Sequence, residues 1–204
     1  MTIPDADYLD LSNTTGIIAT GVISFNLLLG MMMSTRYRNF PIWKKFEKIT
    51  RHINVLKTHT YIAYIGFGLV VLHVVLLLMA KSSGFTIWNS LYPVIAPHQP
   101  LLVSLGTLSL IALVVVAFTS VKIARKALHF KIWKRIHFTA YAVVFLYLVH
   151  GIFIDQSLHD KPPDPFDGEK MVSDISLLLL VIGGGFRLRY SMRHRHLKSE
   201  YEIF

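Results

Sequence analysis

The sequence predicts an all-α integral membrane protein, a bundle of about five transmembrane helices with the N-terminus outside and the C-terminus cytoplasmic. Three observations carry this reading. Hydrophobic residues make up 53% of the 204, with a mean hydropathy of +0.49, more than a soluble domain needs to fill its core. Long runs contain no Asp, Glu, Lys or Arg, and the basic residues gather in segments that alternate along the chain.

The uncharged runs define the spans in order: Leu11 to Thr35, Thr58 to Ala80, Ser82 to Val121 and Ile136 to Ile154. Roughly 20 apolar residues at about 1.5 Å rise cross a hydrocarbon core of about 30 Å. The first, second and fourth runs are therefore single spans. The third is about twice as long as one crossing needs. Pro93, Pro97 and Pro100 break its first half, which leaves Leu101 to Val121 as the helix. The fifth span is short: only Ile175 to Phe186 is free of charge between Asp174 and Arg187. Adding Met171 to Ser173, with Arg187 and Arg189 snorkelling to the headgroups, makes it long enough. An interfacial or re-entrant helix is the alternative.

Charge sets the orientation. Seven Lys/Arg lie in Arg36 to Lys57, six in Lys122 to Arg135 and five from Arg187 onward, which is 18 of the 21. These three segments fall on one side of a five-span chain, and the positive-inside rule makes that side cytoplasmic. The net charge of +9 is thereby a topological signal, and nucleic acid is not expected as a partner. Asp5, Asp7 and Asp10 before span one, and Asp155 to Asp174 before span five, hold nine of the 12 acids on the other side. No cleavable signal peptide is expected, because those first acids stand where a basic n-region would be. The Pro-rich acidic stretch Asp160 to Glu169 reads as a solvated outer loop. The absence of cysteine excludes disulfides, thiolate metal sites, iron–sulfur clusters and covalently attached haem.

Four of the ten histidines lie in the spans, where an ionisable side chain points to function. His59 opens span two and His73 follows it as H-x13-H; His137 opens span four and His150 follows it as H-x12-H. Spans two and four are parallel, so His59 is level with His137 and His73 with His150. Two imidazoles on different helices at one level are what bis-His ligation of a haem iron requires. The separations along the two helices, about 21 and about 19.5 Å, agree within about one residue. Azimuth agrees for span two, where His73 returns to within about 40° of His59. On span four an ideal helix leaves His150 about 140° from His137, so a local distortion, a tilt or a different rotamer at each ring is required. The alternative is hydrogen bonding between helices.

Gly66 and Gly68 lie between His59 and His73, where missing side chains would let a porphyrin approach the backbone; small-residue helix packing explains them equally well. Arg51, Lys57, Lys134 and Arg135 flank the inner pair and could meet haem propionates, besides setting topology. His52, His129, His194 and His196 fall in basic segments, and His98 and His159 in outer loops, where solvated histidine is ordinary. Trp88 and Tyr92 fit an outer aromatic belt, and Trp43 and Trp133 an inner one.

The pattern of His59/His73 and His137/His150 resembles the ferric-reductase-like transmembrane domain, shared by ferric reductases, NADPH oxidases and the haem-binding membrane subunit of the bacterial methionine sulfoxide reductase system. Ala117-Phe118-Thr119-Ser120, Trp133 one turn before His137, His150-Gly151 and Leu188-Arg189-Tyr190 look like the bacterial subunit. The resemblance covers about Arg36 to Tyr190. It implies two haem b, held by His59 with His137 on the inner side and His73 with His150 on the outer, and electron transfer across the membrane. It also tolerates the shorter spacing on span four. Two departures stand out: one helix fewer at the N-terminus than six-helix members, and only a short tail after Phe186, with no dinucleotide fingerprint. Direct NADPH oxidation by this chain is therefore not expected.

The resulting expectation is a dihaem b-type cytochrome in a bacterial inner membrane, with residues 1–14 outside, 15–190 forming the haem domain and 191–204 a cytoplasmic tail. Besides lipid, its partners would be an electron-donor protein or quinol on the inner side, with a flavin or quinone supplied there, and an outer acceptor. A cytochrome b anchor subunit of a larger respiratory or dehydrogenase complex is the nearest alternative. A haem-free transporter or scaffold using the histidines as proton or metal sites is the alternative of another class.

Overall fold

The computed structural model describes residues 5–35, 44, 52–159 and 168–201. Among these the regular structure is helical throughout: α1 (Asp5–Ser34), α2 (Val55–Met79), α3 (Ile87–Leu91), α4 (Pro100–Ser120), α5 (Lys122–Ala127), α6 (Phe130–Phe138), α7 (Ala140–Phe153) and α8 (Met171–Tyr201). Five stretches are long and apolar enough to cross a membrane: Asp7–Ser34, Val55–Met79, Pro100–Ser120, Phe130–Phe153 and Met171–Arg193. The short fifth span read from the sequence is thus part of one long helix. The fourth span is made of two helices, α6 and α7.

Helix boundaries follow local chemistry. Asn54 caps α2, its side chain accepting from the Lys57 backbone N–H at 3.1 Å. The three prolines break the long uncharged run as expected, leaving the five-residue α3 and a 3₁₀ turn at Pro93–Ile95. Pro100 then sits in the first turn of α4, where its missing N–H is of no consequence. Gln99 before it adopts a left-handed conformation (φ 44°), and its Oε1 accepts from the Asp155 backbone N–H at 2.8 Å, tying the α3–α4 loop to the end of α7.

The packing is that of a protein in lipid. Buried positions on α1 are small or hydroxylated through most of its length, Ser12, Thr15, Ala19, Thr20 and Ser24, with Met31 the large exception near its end. Their large apolar neighbours Leu11, Ile18 and Phe25 are about half exposed. Close backbone approach drives association where lipid is as apolar as leucine, so small residues turn inward. The hydroxyls of Thr15 and Thr20 bond to carbonyls one turn back on α1. α1 is the central helix, with 33% of its span buried against 11% for α2, α4 and α8.

α2 packs along α1, α7 packs along α4, and α1 bridges to α7 and α8. α2 makes little contact with α7. The two histidine-bearing spans therefore belong to two antiparallel helix pairs and face each other across a gap. His59 and His137 lie at the basic end of the bundle, with Lys57 and the segment 122–135, and His73 and His150 at the acidic end, with Asp10 and Asp155.

Candidate functional site

All four imidazoles are anchored through Nδ1 to a neighbouring helix. His59 Nδ1 lies 3.1 Å from the Asn26 backbone oxygen, His73 Nδ1 2.8 Å from that of Ser12, and His150 Nδ1 2.8 Å from that of Leu102. A carbonyl has no proton to give, so each ring must donate from Nδ1, and Nε2 is left with its lone pair. His137 differs: its Nδ1 is 3.3 Å from Ser120 Oγ, which itself donates to the Val116 carbonyl at 2.7 Å. The serine proton is thereby used, so the hydroxyl accepts from His137 and the same tautomer results.

A single helical device produces these anchors. Each acceptor carbonyl is followed one turn later by the residue over which the ring lies. For His73 the pair is Ser12 and Gly16, for His59 it is Asn26 and Gly30, and for His150 it is Leu102 and Gly106. A Cβ at Gly16 or Gly106 would stand 3.0 Å from the imidazole, so there only glycine leaves the ring its place without a shift, whereas one at Gly30 would stand 3.4 Å away, at ordinary contact. At the fourth site the pair is Val116 and Ser120, and the hydroxyl relays the bond to the carbonyl.

The register is equally regular. The interval from Ser12 to Asn26 on α1 equals that from His59 to His73 on the antiparallel α2. Leu102 and Val116 keep the same interval on α4, whereas His150 follows His137 one residue sooner. The difference is absorbed in two places. The chain breaks its helix at Thr139, whose N–H bonds to the Ile136 carbonyl three residues back at 3.0 Å. The serine hydroxyl then fills the remaining distance at His137. Span four thus carries a local departure from the ideal helix between its two histidines.

The structure brings His59 close to His137 and His73 into one cavity with His150. The His59 and His137 rings are 6.2 Å apart centre to centre, with their planes at 74°. An imidazole nitrogen lies about 2.0 Å from a bound metal and its ring centre about 1.2 Å beyond, so two rings that shared one iron would stand about 6.4 Å apart. His73 and His150 line one cavity together with Gly16, Thr20, Gly106 and Tyr147. Among the described residues no group of three or more His, Cys, Asp or Glu could hold a bare metal ion. A haem iron asks for only two protein ligands, because the porphyrin supplies the other four, so the donor set fits that group.

Other sequence candidates fall elsewhere. Gly66 is buried against α1, where a Cβ would meet Ile23 at 2.8 Å, so it serves helix packing. Gly68 has open space around it. Neither is among the residues lining the His73–His150 cavity. Arg51 and Trp43 lie outside the described residues. Lys57, Lys134 and Arg135 are exposed, and Arg135, two positions before His137, projects from another face of α6. Lys134 Nζ lies 5.5 Å from the Phe138 ring centre. Trp88 and Tyr92 are 66% and 69% exposed, as a membrane-interface belt requires, whereas Trp133 stacks on His137 with ring centres 5.1 Å apart and planes at 20°.

Sequence reasoning misses Ser12, Asn26, Leu102 and Ser120 and the glycines 16, 30 and 106. Their signal is present: S-x3-G and N-x3-G in α1, and L-x3-G and V-x3-S in α4, each recur at the interval of H-x13-H. No curated protein matches the chain. Residues 15–149 match the family described as ferric reductase like transmembrane component, and that stretch contains α2, α4, α6 and most of α7. It includes His59, His73 and His137 and ends one residue before His150, so the chain belongs to the ferric-reductase-like transmembrane family.

Proposed function

We propose that this chain is a dihaem b-type cytochrome that carries electrons across the membrane from a cytoplasmic flavoprotein or quinol to an acceptor outside. The observation that carries the proposal is the common state of the four intramembrane histidines. Each has Nδ1 committed to a hydrogen bond and, among the described residues, no hydrogen bond at Nε2, on helices that bring His59 near His137 and His73 into one cavity with His150. Iron-ligating imidazoles are oriented by this kind of outer hydrogen bond, which selects the tautomer and raises ligand basicity. Interhelical hydrogen bonding alone would explain the Nδ1 contacts but gives no reason for 6.2 Å between His59 and His137.

Haem b, when bound, supplies one-electron exchange at an iron held by His59 and His137 at one level and by His73 and His150 at the other. The chain's own part is to fix ring orientation and to keep the gap between α2 and α7 free of bulk. Membership of the family supports transmembrane electron transfer in general. The basic segments between α1 and α2, around α5, and after residue 186 support a cytoplasmic location for the His59–His137 level. Trp88 and Tyr92, exposed at the opposite end, support an outer interface there.

The test is haem quantitation on the purified chain. Two haem b per chain are expected, falling to one in His73→Ala or His150→Ala. A preparation without a b-type reduced-minus-oxidised band, or variants that keep both haems, would overturn the assignment.

A further inference from the structure

We propose that Trp133 is a positioning residue for His137, and that Arg125, held over the same indole, tunes the potential of the centre that His137 serves. The proposal rests on the assignment of His59 and His137 as iron ligands. It starts from the weakness of His137's own anchor. The other three rings donate directly to a carbonyl at 2.8 to 3.1 Å and lie against a glycine, whereas His137 reaches a hydroxyl at 3.3 Å. A ring tied that loosely can swivel about its bond to a metal.

Trp133 supplies what is missing. It stands one turn before His137 on α6, hence on the same face, and its indole lies nearly parallel to the imidazole at 5.1 Å. Phe130 packs beside it at 5.7 Å. Arg125, on the short helix α5 that precedes, places its guanidinium carbon 4.5 Å from the indole centre. That contact closes an Arg–Trp–His stack at the basic end.

An interfacial-belt tryptophan keeps its N–H in water or among headgroups. Trp133 Nε1 is buried and has no hydrogen-bond partner among the described residues. A covered Nε1 fits an indole turned inward against the imidazole better than one turned outward to the interface. Arg125 stays charged under all relevant conditions, and a fixed positive charge favours the less positive, reduced state of a nearby centre. None of the other three histidines has a cation–aromatic stack against it among the described residues.

The test uses the full chain carrying haem b, read by low-spin ferric EPR and potentiometric titration. The EPR anisotropy reports the angle between the two axial imidazole planes. Trp133→Leu is expected to change one of two EPR signals, and Trp133→Phe, which keeps an aromatic face, to restore it. Arg125→Gln should lower one of two midpoint potentials while leaving haem content and the other potential unchanged. Wild-type signals and potentials in both Trp133→Leu and Arg125→Gln would overturn the proposal, as would equal shifts in both centres. Should Trp133→Leu lose a haem, Trp133→Phe decides: retention supports stacking, loss refutes it. His59→Ala separates the two levels of inference, because if it leaves every haem signal intact the ligand assignment itself is at fault.

Discussion

The acidic-end and basic-end histidine pairs use one device with different tolerances. At the acidic end both rings donate straight to helix carbonyls at 2.8 Å and both lie on glycines, Gly16 and Gly106, where a methyl group would stand 3.0 Å from the imidazole and force it to shift. At the basic end His59 sits on Gly30 with a few tenths of an ångström more space, and His137 hangs from a serine hydroxyl beside Trp133 and Arg125. The comparison teaches that a glycine cradle makes a rigid, uniform site. Replacing one cradle by serine and indole leaves a site open to adjustment, at the end where we place the electron donor.

The largest effect expected is at the tight end. Gly106→Val should abolish haem at the His150 level, taking haem content from two to one per chain, because overpacking that costs about 1–3 kcal/mol must be met by the imidazole itself. If haem content stays at two, the cradle is not limiting. A smaller effect is expected at the adjustable end. Ser120→Ala leaves His137 Nδ1 without its acceptor, and loss of such an orienting bond weakens metal affinity by about 10–100-fold. Haem transfer to an apoprotein acceptor would measure this, and one of the two haems should leave faster. The smallest effect is a control on the sequence reading: Gly68→Ala, with nothing within 4 Å of the added carbon, should leave haem content and both potentials as they are. A lost haem there would restore Gly68 as a point of porphyrin approach.

Spans and histidine levels are legible in the sequence because they depend on composition and counting. Uncharged runs mark two helices to within four residues and a third to within six, and Pro100 marks the start of another. The H-x13-H spacing is legible for the same reason, since that interval nearly completes whole turns. Gly66 misleads because proximity in sequence to two histidines says nothing of which face a residue occupies; it turns toward Ile23. Trp133 misleads in the same way, since an aromatic near a span end fits a belt until its neighbours are seen. The serine and glycine partners are invisible individually. They lie on other helices, remote in sequence, and only the helix pairing shows which repeat meets which histidine.

By itself the sequence determined that the chain enters lipid, how many times it crosses, and that four imidazoles fall at two depths. Hydropathy, helical rise and charge are properties of single segments and need no partner. Only tertiary structure decided which carbonyl holds each ring, which nitrogen is free, and how span four fits its shorter histidine interval to the register of α4 through the break at Thr139. Those depend on the contact between two helix surfaces, where the azimuth of one is defined only relative to the other.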